Sequence, residues 1–550
     1  MKYAIDNLKL LDSGILKNID RSKLLGFAGL IVLTAILEGI FRFGARMSII
    51  RSSRRIEYQI RNKYFAHLQK QAQSFFHRTR TGDLMARATN DLNAVRMMIG
   101  PGILHPVNSI IVFTVGLGFM LAINVKLTLI ALSPLVLIIL LVYKMVFIIH
   151  RTYQSIHEKF SEITTRAQEN ISGIRVIKGY VQEQNEIEQF RILNKEYIHK
   201  NLTLAKVRGF LWNAVSLFSG IGMIIVVWLG GRDVIAGEIS LGDFTAFTIY
   251  LGMLTWPVIA SGWVVTLYER GKAALNRMND IMAQDPEIHD NTKTQSDIRS
   301  IKSQIEFKDV SLVYDSQQRH VLANINLKIE KGQTVAIVGR TGAGKSTLVN
   351  LISRLMDTTS GQVLIDGNDI RKIPLSVLRR NIGYVPQETF LFSDTIGENI
   401  ALGVDDPSQS AIQNAANVSQ ILDDIQSFPN EFETILGERG INLSGGQKQR
   451  TALARAIIRQ PRILILDDAF ASVDTYTEEN ILRHLREIMK ERTSIIISHR
   501  ISTIKDADQI IVLENGRIVE QGKHNELLAM NGIYSDLYRE QLLKESLENI

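Results

Sequence analysis

Residues 334–356 read TVAIVGRTGAGKSTLVNLISRLM, and few stretches leave a chain less freedom. The run from Thr334 to Val338 has the length and composition of a buried strand, and residues 347–356 carry apolar side chains at helical spacing. Between them stand Gly339, Arg340, Thr341, Gly342, Ala343, Gly344, Lys345 and Ser346, with Thr347 opening the helical stretch. This is G-x-x-x-x-G-K-[ST] in the strand–loop–helix setting the pattern requires. The glycines let backbone N–H groups curl round a polyphosphate with no Cβ in the way, and the helix start adds positive potential. Lys345 is expected on the β- and γ-phosphates, and Ser346 on Mg²⁺. Average residue usage puts the bare pattern by chance in about one chain in fifty of this length. Its place between a strand and a helix is what makes it a nucleotide-phosphate site.

A chain of 550 residues exceeds one core, so two or three domains are expected. Charged residues make up 22% and mean hydropathy is +0.05, which is apolar for a wholly soluble protein and points to membrane spans joined to a soluble part. The sequence has no cysteine, which excludes a disulfide framework, a thiolate nucleophile and a thiolate metal site. Residues 1–23 are mostly polar, mixed in charge and without a small-residue cleavage site, so no secretory signal is expected.

The long apolar runs lie in the first half. One occupies residues 24–37 and continues in a helical pattern to 50; the others are 103–123, 127–149, 210–234 and 244–267. Each is long enough to cross a bilayer, giving five spans. Glu38, Arg42 and Arg46 fall four apart on one face of the first, where Glu38 and Arg42 can pair. Such a face is expected to look into protein or a water-filled cavity. Loops 51–102 and 151–208 carry ten lysines and arginines each, whereas 124–126 and 235–243 are short and nearly uncharged. The positive-inside rule makes the two long basic loops cytoplasmic, which explains the net charge of +7 without nucleic acid. Both loops read as helical continuations with a glycine-marked break, at 80–87 and 172–178, where a hairpin can turn and offer a short transverse helix to another domain. Five spans put Met1 outside, against Lys2, Lys9, Lys17, Arg21 and Lys23, while Asp6, Asp12 and Asp20 count little toward orientation.

Residues 271–301 are polar and mixed in charge and mark a boundary, giving a membrane domain at 1–275, a linker at 276–304 and an α/β domain at 305–550. Strands are expected at 305–314, 334–338, 382–385, 463–468, 493–498 and 510–513, the last turning at Asn515-Gly516 into 517–520. Helical patterns between most of them predict a largely parallel sheet with ligand at the carboxyl ends of its strands. Asp467, at the tip of an apolar strand, suits Mg²⁺, mostly through its waters, opposite Ser346, and Asp468 is directed at the water attacking the γ-phosphate. Gln387 can reach Mg²⁺ or that water, His499 can donate to the γ-phosphate, and Tyr314 can stack on the base. Leu443, Ser444, Gly445, Gly446 and Gln447 precede a helix running through Ala456 and offer a second anion site. One nucleotide cannot occupy both sites unless they come from different chains or the domain refolds.

Together these residues resemble the ATP-binding cassette transporters, specifically exporter half-transporters with a membrane domain fused ahead of the cassette. On that resemblance Tyr314 is the A-loop, Gly339–Ser346 the Walker A, Gln387 the Q-loop, Leu443–Gln447 the signature, Asp467 the Walker B and His499 the switch histidine. Residues 437–440 resemble the exporter-specific loop before the signature, 471–474 the D-loop, and the segments around 81–83 and 173–182 the two coupling helices. The resemblance implies ATP and Mg²⁺, and two cassettes paired head to tail with the signature of one on the Walker A of the other. It also implies ATP-driven export of a drug, lipid or other hydrophobic or amphipathic small molecule across a bacterial inner membrane, with the cassette in the cytoplasm. Trp212, Trp228, Trp256 and Trp263 can line an aromatic cavity for such a molecule or anchor the spans at the interface.

The sequence departs from the family pattern twice. Six spans per half are the family norm, and Tyr3-Ala-Ile-Asp-Asn resembles the external segment after a first span, so a span ahead of residue 1 is expected and would remove the orientation conflict. The residue after the Walker B aspartate is usually Glu, and here it is Asp468, one methylene shorter. A misplacement of about 1 Å costs on the order of a hundredfold in rate. Heterodimeric exporters show this asymmetry, so this chain is expected to be the half lacking the catalytic Glu, its intact signature completing a partner's active site. The alternatives are a homodimer in which Asp468 suffices, and a nucleotide-gated regulator or channel-like subunit that does not pump.

Overall fold

The computed structural model describes residues 5–6, 21–314 and 320–548. Of the expected external segment at 3–7 only Ile5 and Asp6 fall within the described residues. The chain forms two compact units, Met1–Leu68 with Thr81–Gln284, and Gln69–Arg80 with Asp285–Ile550.

The first unit is helical. Its long helices are α1 (Arg21–Leu68), α2 (Pro101–Ile123), α3 (Ser133–Ser172), α4 (Glu183–Ile225) and α5 (Leu241–Met282). Five helical stretches among the described residues are long and apolar enough to cross a membrane, and the shortest has 42 residues. At 1.5 Å per residue that is about 60 Å, twice the apolar layer of a bilayer, so each runs well past its span. Local signals set the ends. Ser240 and Asp243 close a capping box ahead of α5, and Asn124 accepts from the Leu127 N–H at the turn after α2. Gly116 of α2 leaves room for Leu254 of α5, whose δ-carbon would lie 3.3 Å from a Cβ there. Met120, Ile138, Val226, Phe247 and Leu254 form the buried apolar centre.

Glu38 and Arg42 pair as expected. Further along α1, Glu57 is buried and charge-compensated by Arg54 at 3.0 Å, Arg61 at 2.7 Å and Arg96 at 3.6 Å. The second expected break is present, with Gly173 ending α3 and a short helix following at Ile174–Gly179. The first break begins earlier than 80–87 and reaches that segment only at Arg80, the non-helical residue ahead of Thr81. Helix α1 stops at Leu68, a short helix occupies Gln73–Arg78, and Gly82 sits inside the helix Thr81–Ala86. Gly82 lies in a first turn, where the backbone N–H groups have no intrahelical partner in any case, so it marks no interruption.

The second unit contains two sheets. Six strands, β3 (Thr334–Val338), β6 (Ile382–Val385), β7 (Ile463–Asp467), β8 (Thr493–Ile497), β9 (Gln509–Glu514) and β10 (Arg517–Gly522), assemble in the order β10-β9-β3-β8-β7-β6. All are parallel except β10, which returns antiparallel on β9 through a turn whose Asn515 and Gly516 both have positive φ, 48° and 76°. Every residue of β7 and β8 is buried, as a parallel sheet covered on both faces requires.

The other sheet, β1 (Ile305–Val313), β2 (His320–Ile329), β4 (Ser360–Ile365) and β5 (Asn368–Asp369), is antiparallel in the order β2-β1-β4-β5. The expected strand at 305–314 therefore belongs to a separate sheet, and β2, β4 and β5 are additions. Side chains of both sheets meet in one core, among them Phe307, Leu322, Ile337, Leu348, Ile365 and Ile465.

The segment before β1 is ordered against this unit. The Leu375 N–H donates to Asp290 Oδ1 at 3.0 Å, and the buried Thr493 hydroxyl donates to the Ser303 carbonyl at 2.8 Å while accepting from the Gly332 N–H at 3.1 Å. Thr493→Val keeps the shape and strands both backbone groups. It is expected to destabilise this unit by about 1–3 kcal/mol, read as a lower apparent unfolding temperature of the purified chain.

Candidate nucleotide site

At the carboxyl end of β3 the chain turns sharply. Gly339 has φ +151°, and a Cβ there would lie 2.2 Å from the Leu513 carbonyl oxygen on β9. Gly344 has φ +98°, with the Val321 carbonyl oxygen 2.9 Å from a Cβ position. Only glycine accommodates both. The turn of β9 into β10 braces the loop, since the Gly516 N–H donates to the Ala343 carbonyl at 3.2 Å. Helix α6 (Lys345–Ile352) follows immediately, shorter than the expected 347–356 at its far end because Arg354 takes a left-handed conformation.

Lys345 is buried, and its Nζ donates to the Gly339 and Arg340 carbonyls at 2.7 and 3.1 Å. Burial holds its pKa below the ordinary lysine value, while the carboxylates of Asp468 and Asp467 pull the other way. Asp467 ends β7 and is 2% exposed. Burial raises its pKa above the ordinary carboxylate range. A hydrogen bond from Ser346 opposes that shift, the neighbouring Asp468 charge adds to it, and Lys345 and Tyr384 oppose it. The Tyr384 hydroxyl stands between this carboxylate and Asn350 Oδ1, 3.0 Å away, and its one proton serves one of them at a time.

Asp468 leaves the strand in a left-handed conformation, φ +51°, with its N–H donating to the Ile497 carbonyl at 2.9 Å. Its side chain, Gln387 two residues beyond β6 and His499 two residues beyond β8 all line one cavity of about 270 Å³. Thr341, Gly342, Gly344, Lys345, Ser346, Thr347 and Asp467 complete most of its wall. The structure thus brings together ten of the expected residues. Gly339, Arg340 and Ala343 belong to the loop without lining this cavity; Arg340 and Ala343 face a second one of about 470 Å³ on the side of the β9–β10 turn. Tyr314, just past β1, is also off the wall and touches its edge through a hydroxyl 3.4 Å from Thr347 Oγ1.

Leu443, Ser444, Gly445, Gly446 and Gln447 contribute nothing to either cavity. Their helix, α7 (Gly445–Ile457), starts within the motif rather than after it. Ser444 is its N-cap, accepting from the Gln447 N–H at 3.2 Å, while Gln447 Oε1 accepts from the Ser444 N–H at 2.9 Å. Gln447 is further fixed by donating to Asp424 Oδ1 at 2.8 Å. Tyr384 was not among the expected residues. Its one signal in the sequence is a hydroxyl inside the otherwise apolar run 382–385.

The arrangement is a glycine-rich loop with a buried lysine, a buried carboxylate facing it and a second, partly buried carboxylate beside that one. Two family models match the chain, the ABC transporter transmembrane region over residues 7–258 and the ABC transporter model over residues 322–471. The chain is 38% identical to the probable multidrug resistance ABC transporter ATP-binding/permease protein YheI of Bacillus subtilis, over 89% of this chain and 83% of that protein. It is 35% identical to the ATP-dependent lipid A-core flippase of Desulfotalea psychrophila, over 93% and 89% respectively. Among solved structures, a bacterial Atm1-family ABC exporter with ATP bound superposes with a TM-score of 0.82 at 28% identity, covering 98% of this chain and 96% of that one. With a helical membrane region and an α/β cassette on one polypeptide, the chain belongs to the ATP-binding cassette transporters of the exporter type, membrane ATPases coupled to transport.

Proposed function

We propose that this chain is one half of a dimeric exporter that moves an amphipathic, drug-like or lipid-like molecule across the cell (inner) membrane, with residues 305–550 working in the cytoplasm as its ATPase. One observation carries the dimer. The phosphate loop and both carboxylates wall a single cavity, and the second anion-binding motif, at 443–447, takes no part in it. A second copy or a second half supplies the phosphate that this motif binds. The names of two relatives, a multidrug resistance transporter and a lipid A-core flippase, support the substrate class.

In this reading the loop N–H groups and Lys345 hold the β- and γ-phosphates, and Tyr314 stacks on the base beside Thr347. Ser346 and Asp467, with Gln387, fit a hard divalent cation. The buried carboxylate with its raised pKa is where positive charge is most welcome. Bound Mg²⁺ supplies charge neutralisation of the phosphate oxygens. Asp468 orients a water at the γ-phosphorus and takes its proton as the new P–O bond forms and the bond to the β-phosphate oxygen breaks. His499 donates to a γ-phosphate oxygen and favours the charge that develops there.

Asp468 supports an asymmetric pair. Its backbone is fixed by the hydrogen bond to Ile497 and the left-handed turn, so the chain cannot advance to recover the missing methylene. A shortfall of about 1 Å predicts turnover on the order of a hundredfold below that of a Glu-bearing site. The purified chain alone is therefore expected to hydrolyse ATP slowly, to speed up at least tenfold with Asp468→Glu, and to be stimulated by a Glu-bearing half. Robust turnover by a homodimer, abolished by Asp468→Asn, would sink the asymmetric reading. Lys345→Met tests the cradle separately. It is expected to lose about a hundredfold or more in hydrolysis and to weaken nucleotide binding, measured by fluorescent-nucleotide titration at constant folding.

A further inference from the structure

Beside the nucleotide cavity lies a polar cluster that the site does not use. Glu478 sits on α8 (Thr475–Met489) and is 2% exposed. One of its carboxylate oxygens accepts from Arg500 Nη1 and the other from the Thr503 hydroxyl. Arg500 directly follows His499, and its Nη1 also donates to the Val473 carbonyl at 3.0 Å. Its backbone N–H donates to Ser498 Oγ at 3.0 Å, and the Ser498 and Thr503 hydroxyls are 3.4 Å apart. Both neighbours of His499 are thereby pinned, although His499 itself is exposed.

The segment that receives the Arg500 bond is held at its other end as well. The Ser472 N–H donates to Gln449 Oε1 at 2.8 Å, on α7, whose N-cap is Ser444. Asp474 caps α8, accepting from the Thr477 N–H at 2.9 Å. A continuous path of hydrogen bonds thus runs from α7 through residues 472–474 to Arg500, with Glu478 as the counter-charge that keeps the guanidinium in place.

We propose that Glu478, acting through Arg500, is a positioning residue for ATP hydrolysis: it fixes His499 toward the γ-phosphate and ties that placement to residues 472–474 and the helix that Ser444 begins. This rests on the reading of His499 as the γ-phosphate donor. The fold alone does not call for the pair, because replacing both partners of a buried ion pair with apolar side chains is often neutral or stabilising. An apolar pair lacks the bond from Arg500 to the Val473 carbonyl and the bond from the Thr503 hydroxyl to Glu478, and leaves Thr503 only Ser498, 3.4 Å away, as a hydroxyl partner. An exposed imidazole on a loop has no packing to hold it, and a displacement of about 1 Å costs on the order of a hundredfold in rate.

The test uses the full chain under single-turnover conditions, enzyme in excess over radiolabelled ATP, so that slow hydrolysis is measurable. Glu478→Gln is expected to lower the rate about ten- to a hundredfold with nucleotide affinity within about twofold of the parent. The double variant Glu478→Met/Arg500→Met is expected to return the unfolding temperature to the parental value without returning the rate. Recovery of the rate in that double variant, or an unchanged rate in Glu478→Gln, would show the pair to be merely structural and overturn the proposal. His499→Ala separates the two readings. A parental rate in His499→Ala would remove the role of His499 itself, whereas a slow His499→Ala beside a fast Glu478→Gln would remove only the positioning role. If the parental rate lies below detection, amide exchange decides. Faster exchange across 498–503 in the double variant at restored stability supports the proposal, and parental exchange overturns it.

Discussion

A parallel sheet buried on both faces has nowhere to put polar chemistry except at its strand ends. Strands β7 and β8 are buried at every position, and four of the five residues of β3 are buried. The chain must change character abruptly where each strand stops. At those carboxyl ends stand the loop 339–346 after β3, Gln387 after β6, Asp467 and Asp468 at the end of β7, and His499 after β8. Residues from all four strand ends share one cavity because the strands are neighbours in the order β3-β8-β7-β6. The strand order places the candidate groups; the side chains decide only what each can do.

Burial acts on two of the charged groups of that cavity in opposite directions. It pushes the Lys345 ammonium down and the Asp467 carboxyl up, in each case toward the neutral form, and each is the other's partial remedy. The loop carbonyls hold Lys345, and the Ser346 and Tyr384 hydroxyls serve Asp467. Tyr384 remains a donor because burial, with the Asp467 charge beside it, pushes its own pKa well up. A polyphosphate with a divalent cation is a species whose charges offset both penalties together. Asp468 is only partly buried at the same cavity, and its reach is set by the length of its own side chain.

The six-stranded sheet was legible because burial on both faces writes itself as unbroken runs of Ile, Leu and Val. The β9–β10 turn was legible because Asn-Gly is the pair that tolerates two positive φ values. The antiparallel sheet was harder to read. Strand β2 does alternate, but Asn324 and Asn326 on its exposed face look like loop residues, and β4 is short and begins beside Gly361. The break that follows α1 escaped because that helix ends at Leu68 with neither glycine nor proline to mark it. Glu478 was illegible for a different reason. Threonine, tyrosine and two glutamates in a row read as a solvated helix face, and only the long-range meeting of residues 478 and 500 shows that one of those glutamates is buried.

The two units are organised by opposite rules. In the second, apolar side chains are hidden in three buried clusters. In the first, the apolar window of α1 has no buried residue, and Leu30, Ile36, Ile40 and Phe41 stand exposed along it. Water would penalise a surface of that size and drive it to aggregate, whereas hydrocarbon solvates it at no cost. The charges follow the same division. Within the apolar stretch Glu38 and Arg42 neutralise each other one turn apart, which lowers the cost of placing them at that depth. Past it, Glu57 is buried among three arginines, an excess of positive charge suited to the water-facing end of a membrane helix. A single helix thus changes solvent along its length, and the pairing of its charges marks where.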